Sequence, residues 1–143
     1  MAKPLYQAVL DLREELKELE VDVPTEYKNG VKNRVYPQKC FDKSFDYMKE
    51  NGELPNVKYV EGIYEGLVDH AWVEIDNKVV FEGTTQRFYD KEQYYQKRRL
   101  VKLVELDEKG MWKYLFQYQI GNGKPMYQQA KDEFLRSICM KEW

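Results

Sequence analysis

A thiol and an imidazole are the side chains best suited to nucleophilic catalysis, and this 143-residue chain is sparing with both. It has two cysteines, Cys40 and Cys139, and a single histidine, His70. A thiol becomes a nucleophile when a base takes its proton and when a helix N-terminus and an imidazolium favour the thiolate. The base in turn needs a third group to fix its tautomer and orientation. One histidine excludes multi-histidine metal sites, and the residues imply neither a metal nor an organic cofactor. Two cysteines are too few for a disulfide scaffold. Cys139 sits among Leu135, Ile138 and Met140 with no histidine near it in sequence, and reads as a packed structural thiol.

The elements that must position these groups follow from periodicity. A helix fits residues 38 to 50, with Phe41, Phe45 and Met48 on one face and Cys40, Ser44 and Tyr47 on an adjacent one. Cys40 then falls in its first turn, and Asn51-Gly52 supplies a left-handed stop. From residue 57 the period changes to two, and VKYVEGIY, LVDHAWVEI and KVVFEG read as three short strands, separated at Glu65-Gly66 and Asp76-Asn77-Lys78. Cross-strand pairs share a face, so matching the apolar sets pairs Ile75 with Val79 and Val73 with Phe81. That register puts His70, Trp72 and Glu74 on one face with Val80, Glu82 and Thr84. Glu82 stands diagonal to His70 at roughly 5–8 Å between Cβ atoms, within reach of the ring. Asp76, the rival for the third role, lies in the hairpin loop.

Around this core, residues 4 to about 20 read as an amphipathic helix with a stripe of Leu5, Val9, Leu12, Leu16 and Leu19. Residues 85 to 99 carry a helical signal from Asp90. LVKLVEL and MWKYLFQYQI flank Asp107-Glu108-Lys109-Gly110, a hairpin signal. A last helix covers about 126 to 140, with Ala130, Phe134, Leu135 and Ile138 inward. The order predicts an α+β fold in a single domain spanning residues 1–143: N-terminal helices packed on an antiparallel sheet, then a closing hairpin and a C-terminal helix.

Several motifs together resemble the small transglutaminase-like branch of the papain-like superfamily. They are Cys40-Phe41-Asp42-Lys43-Ser44 opening a helix, Tyr59-Val60-Glu61-Gly62, His70-Ala71-Trp72-Val73-Glu74, and Val80-Phe81-Glu82-Gly83-Thr84. The resemblance covers about residues 36–85. It implies a papain-like core with Cys40 as nucleophile, His70 as base and Glu82 at the position of the acid. Glu82-Gly83 stands where that family usually has Asp-Pro, one methylene longer in the orienting side chain. The resemblance also implies an oxyanion donor from the Cys40 N–H, with the Gln38 side chain as an auxiliary; Trp72 is expected to pack beneath the site.

Composition limits the alternatives. Lys and Arg number 23 against 25 Asp and Glu, so bulk-charge binding of nucleic acid is excluded. No apolar run approaches the roughly 20 residues that span a bilayer, and the N-terminus is unlike a signal peptide, which predicts a cytoplasmic protein. Aromatic residues make up 15% of the chain and argue for a packed fold. The expected activity is cysteine-nucleophile acyl transfer on a protein or peptide amide, as a peptidase, amidase or transglutaminase. The alternative is a non-catalytic binding protein on the same fold. It would use the Tyr-rich basic stretch, in which Arg87, Lys91, Lys97, Arg98, Arg99 and Lys102 interleave with Tyr89, Tyr94 and Tyr95, for peptide or nucleic-acid partners.

Overall fold

The computed structural model describes residues 4–64 and 68–118. Pro4, whose fixed φ suits a helix start, precedes α1 (Leu5–Glu15). The expected first helix divides at its C-terminal end into a one-turn 3₁₀ helix, Lys17–Leu19. Its apolar stripe divides too: Leu16 and Leu19 are buried, while Leu5 is 54% exposed. The second helix, α2 (Cys40–Asn51), buries Cys40, Phe41, Ser44, Phe45, Tyr47 and Met48, the two adjacent faces anticipated from spacing. The left-handed stop expected at Gly52 is not there, because its φ is −64°. Glycine is needed for space instead, since a Cβ would stand 2.5 Å from the Met48 carbonyl oxygen.

Five antiparallel strands follow: β1 (Val57–Tyr64), β2 (Val68–Ile75), β3 (Val79–Glu82), β4 (Arg87–Asp90) and β5 (Val101–Leu106), ordered β4-β3-β2-β1-β5. The β2–β3 register is the expected one, with Val73 opposite Phe81 and Ile75 opposite Val79. Asp76 and Asn77 make the connecting turn with positive φ, which short polar side chains tolerate. Between β4 and β5 runs α3 (Lys91–Arg98), begun by Asp90, whose carboxylate accepts from the Gln93 N–H at 3.0 Å.

The closing hairpin is a correction. β5 pairs with β1, and the segment expected as its partner strand opens instead within α4 (Glu108–Tyr118). Asp107 is the reason. Its carboxylate accepts from the Gly110 N–H at 2.7 Å and its carbonyl from the Met111 N–H at 2.9 Å. The supposed hairpin turn is thus a capped first helical turn. The turn expected at Glu65-Gly66, the C-terminal helix at about 126–140 and Cys139 lie outside the described residues.

Helices cover both faces of the sheet, rather than stacking together on one. Ala71, Val73, Ile75 and Phe81 pack with α2 and with Met111 of α4. Val60, Trp72, Val80 and Tyr89 pack with Leu16, Leu19 and Tyr94 of α3. Strand alternation therefore aims His70, Trp72, Glu74 and Glu82 at the α3 side, where all four are buried. The architecture is α+β. Among the described residues, no helix is long and apolar enough to cross a membrane.

Candidate active site

Cys40 opens α2 because a tight turn aims the chain there. The Lys39 N–H donates to the Tyr36 carbonyl at 3.2 Å, with Pro37 and Gln38 between them. Gln38 has φ +62°, as the third position of a type II turn demands. This turn is tied to the chain just beyond the acid, since the Tyr36 N–H donates to the Thr84 carbonyl at 2.7 Å. No side chain caps α2, which leaves its first-turn amides uncommitted to a capping group.

Glu82 ends β3, and extending the β2–β3 register by one pair sets it opposite Trp72 and diagonal to His70. His70 Nε2 and Glu82 Oε1 are 2.6 Å apart. Beside His70 the third strand has already turned away, and there the Cys40 thiol, coming from the α2 face, interacts with the imidazole. With Nε2 engaged by the carboxylate, Nδ1 is the ring nitrogen left for sulfur. The ring is held on both sides. Trp72 stacks on it at 5.8 Å between centroids, and Tyr64 meets it edge-on at 5.0 Å.

Burial alone would lower the His70 pKa, yet the Glu82 carboxylate and the hydrogen bonds with Cys40 and Glu82 push it up to about 10. Burial would likewise raise that of Glu82, but His70, the Tyr94 hydroxyl and the Arg98 charge bring it down to about 2. The pair is an imidazolium and a carboxylate at neutral pH, titrating as a unit. Family models, curated proteins and solved structures contain no match for this chain.

The anticipated groups are thus sorted by the fold. Cys40, His70 and Glu82 come together. Trp72 is fully buried beneath His70, as expected of it. Gln38 is exposed and serves the turn, and no described contact links its amide to Cys40 or His70. Asp76 is exposed in the hairpin loop, accepting from Asn56 Nδ2 at 3.2 Å. A cleft of about 230 Å³, lined in part by Tyr36, Lys43, Tyr47 and Phe81, runs along α2 one turn from Cys40.

The sequence reading missed the support for the acid. Glu82 Oε1 also accepts from the Tyr94 hydroxyl, and Oε2 accepts from the Thr84 N–H at 3.2 Å and Oγ1 at 3.0 Å. Arg98 adds its charge and lies over Tyr64 at 4.4 Å. Part of the basic, Tyr-rich stretch is therefore turned inward: Tyr89 and Tyr94 are buried, while Lys97 and Arg99 are exposed. Arg87 donates to Asn33 at 2.8 Å, and Lys91 and Lys102 pair with Glu74 at 3.2 and 3.0 Å. Only the Thr84 part of this was signalled in sequence, by its alternation with Glu82.

Proposed function

We propose that this chain is a cysteine-nucleophile acyl-transfer enzyme, with a transglutaminase-like, papain-like core, acting on a protein or peptide amide. The observation that carries the reading is one imidazole 2.6 Å from Glu82 on one nitrogen, its pKa raised also by hydrogen bonding with the Cys40 thiol at a helix start. Two carboxylate-bound residues in a core are commonplace; a helix-start thiol on the same ring is what nucleophilic chemistry requires.

The Cys40 thiolate would attack the amide carbonyl, forming a C–S bond while the oxyanion is met by the Cys40 N–H. Collapse breaks the C–N bond as His70 gives its proton to the leaving amine. Water or an amine then attacks the thioester, yields its proton to His70, and releases the Cys40 thiolate. Glu82 holds the ring in orientation throughout.

The test compares thiols within one molecule. A small alkylating probe at neutral pH should label Cys40 far faster than Cys139, and Cys40→Ala should abolish amide turnover while the fold survives. Equal labelling of the two thiols would overturn the reading and support a non-catalytic binding protein on this fold.

A further inference from the structure

The reaction described uses one of two buried carboxylates on the His70 face of the sheet. The other, Glu74, is 1% exposed and four residues along β2 from His70. Its Oε2 accepts from Trp72 Nε1 at 3.0 Å and from the Tyr95 hydroxyl. Its Oε1 meets Lys102 Nζ at 3.0 Å and Lys91 Nζ at 3.2 Å. A buried charge is costly, so a carboxylate held this thoroughly needs an account. Pairing with two lysines explains how the charge is tolerated. It leaves open why the indole is included.

We propose that Glu74 is a positioning residue for His70, acting through the indole of Trp72. Trp72 stands between them, giving its N–H to Glu74 and its ring face to the imidazole, with planes 28° apart. The hydrogen bond fixes how the indole lies, and the stacked indole and edge-on Tyr64 fix the imidazole plane. An anion at the indole N–H also pushes electron density onto the ring face, which favours an imidazolium stacked there. Glu82 thus sets the ring from its nitrogen edge and Glu74 from its flat side. This inference rests on the acyl-transfer reading for its catalytic meaning, but its effect on His70 is measurable without activity.

The charged and titratable neighbours are few enough to name. Glu74 faces Tyr95 and Lys91 of α3, Lys102 of β5, which it shares with Glu105 of the same strand, and Lys58, its cross-strand partner in β1. His70 faces Cys40 of α2, Glu82 of β3 and Tyr64 of β1, with Tyr94 and Arg98 of α3 behind Glu82.

With one histidine in the chain, its ring proton resonance can be followed without ambiguity as pH is raised. Glu74→Gln should lower the His70 titration midpoint by about half to one pH unit, a three- to tenfold change in imidazolium stability. Trp72→Phe keeps an aromatic face and removes the N–H, so it reads the same link from the other end should Glu74→Gln fail to fold. It should lower the midpoint too, and adding Glu74→Gln to it should lower it no further. An unmoved midpoint in folded Trp72→Phe, or additive shifts in the double variant, would overturn the role of Glu74. Alkylation of Cys40 against Cys139 in the unmodified protein tests acyl transfer separately. A His70 midpoint that falls in both Glu74→Gln and Trp72→Phe, and no further in the double variant, sustains the positioning role even where Cys40 proves inert.

Discussion

A Cβ placed on Gly83 would stand 2.5 Å from the Cβ of Lys43. The residue after the acid therefore packs directly against the helix that carries the thiol, three residues beyond Cys40. Glycine at this position, where the resembled family has proline, lets β3 and α2 approach closely enough for Glu82, His70 and Cys40 to meet. Gly83→Ala is predicted to force the two elements apart, costing about 1–3 kcal/mol in urea unfolding. It should also slow alkylation of Cys40 more than that of Cys139. Unchanged stability and reactivity would show that the contact yields without disturbing the site.

Four donors converge on the Glu82 carboxylate: His70 Nε2, the Tyr94 hydroxyl, and the Thr84 N–H and hydroxyl. A carboxylate suits them because both oxygens only accept. From register alone Glu82→Gln reads as a mild loss of charge, but here it would turn an amide NH₂ toward donors. It is predicted to destabilise the fold by about 1–3 kcal/mol and to lower the His70 titration midpoint. Glu82→Asp keeps an acceptor-only group and should retain more stability than Glu82→Gln. Urea midpoints of the two variants, measured side by side, check this order.

The coupled pair also predicts how stability depends on pH. Glu82 is held below its ordinary value, at about 2, so its contribution is present above the unfolded value near 4.3 and is lost as pH falls toward 2. His70 is raised to about 10, so its contribution is complete below about 6.5 and fades as pH climbs toward 10. Stability should be greatest between about pH 4.5 and 6.5 and decline on the alkaline side. Urea midpoints from pH 5.5 to 9.5 measure this, and His70→Gln should flatten that alkaline decline. An equal slope in that variant would assign it to other groups.

The part of the site that was legible in sequence is the part made by neighbouring strands. Ala71, Val73 and Ile75 alternate cleanly against Val79 and Phe81, and a three-residue loop leaves little choice of register, so Glu82 follows onto the His70 face. Cys40 was placed by the helical period of residues 38 to 50, which puts it in the first turn. Tyr94 and Tyr95 resisted the same treatment. They are adjacent in sequence on a polar, basic helix, yet their hydroxyls serve two different buried acids, Glu82 and Glu74. No periodicity reports that α3 folds back over the sheet, because the side it turns inward is made of the Tyr94 and Tyr95 rings and the partly buried Lys91 and Arg98 side chains. The missed helix α4 has another cause. Trp112 and Tyr114 favour strands as isolated residues, and the Asp107 cap outweighed that preference.

Tyr94 offers the sharpest check on how the acid is held. Its ring stacks on Tyr89 at 5.2 Å with planes 10° apart, and its hydroxyl donates to the Glu82 oxygen that also faces His70. Burial and the neighbouring Glu82 charge hold its pKa well above the ordinary value, so it stays a donor across the working pH range. Tyr94→Phe keeps the stack and removes one hydrogen bond to a charged acceptor, a loss of about 1.5–3 kcal/mol. The sign of the accompanying titration shifts follows from the carboxylate. With one donor fewer, Glu82 binds a proton more readily, so the loss of stability on acidification should begin at higher pH than in the unmodified protein. The less neutralised carboxylate also pulls harder on the imidazolium, so the His70 midpoint should hold or rise, opposite to its fall in Glu74→Gln. Urea unfolding and the histidine resonance, both followed from pH 3 upward, separate these effects. A His70 midpoint that falls in Tyr94→Phe would mean that the hydroxyl orients the imidazole itself, and the division of labour between Tyr94 and Glu82 would have to be redrawn.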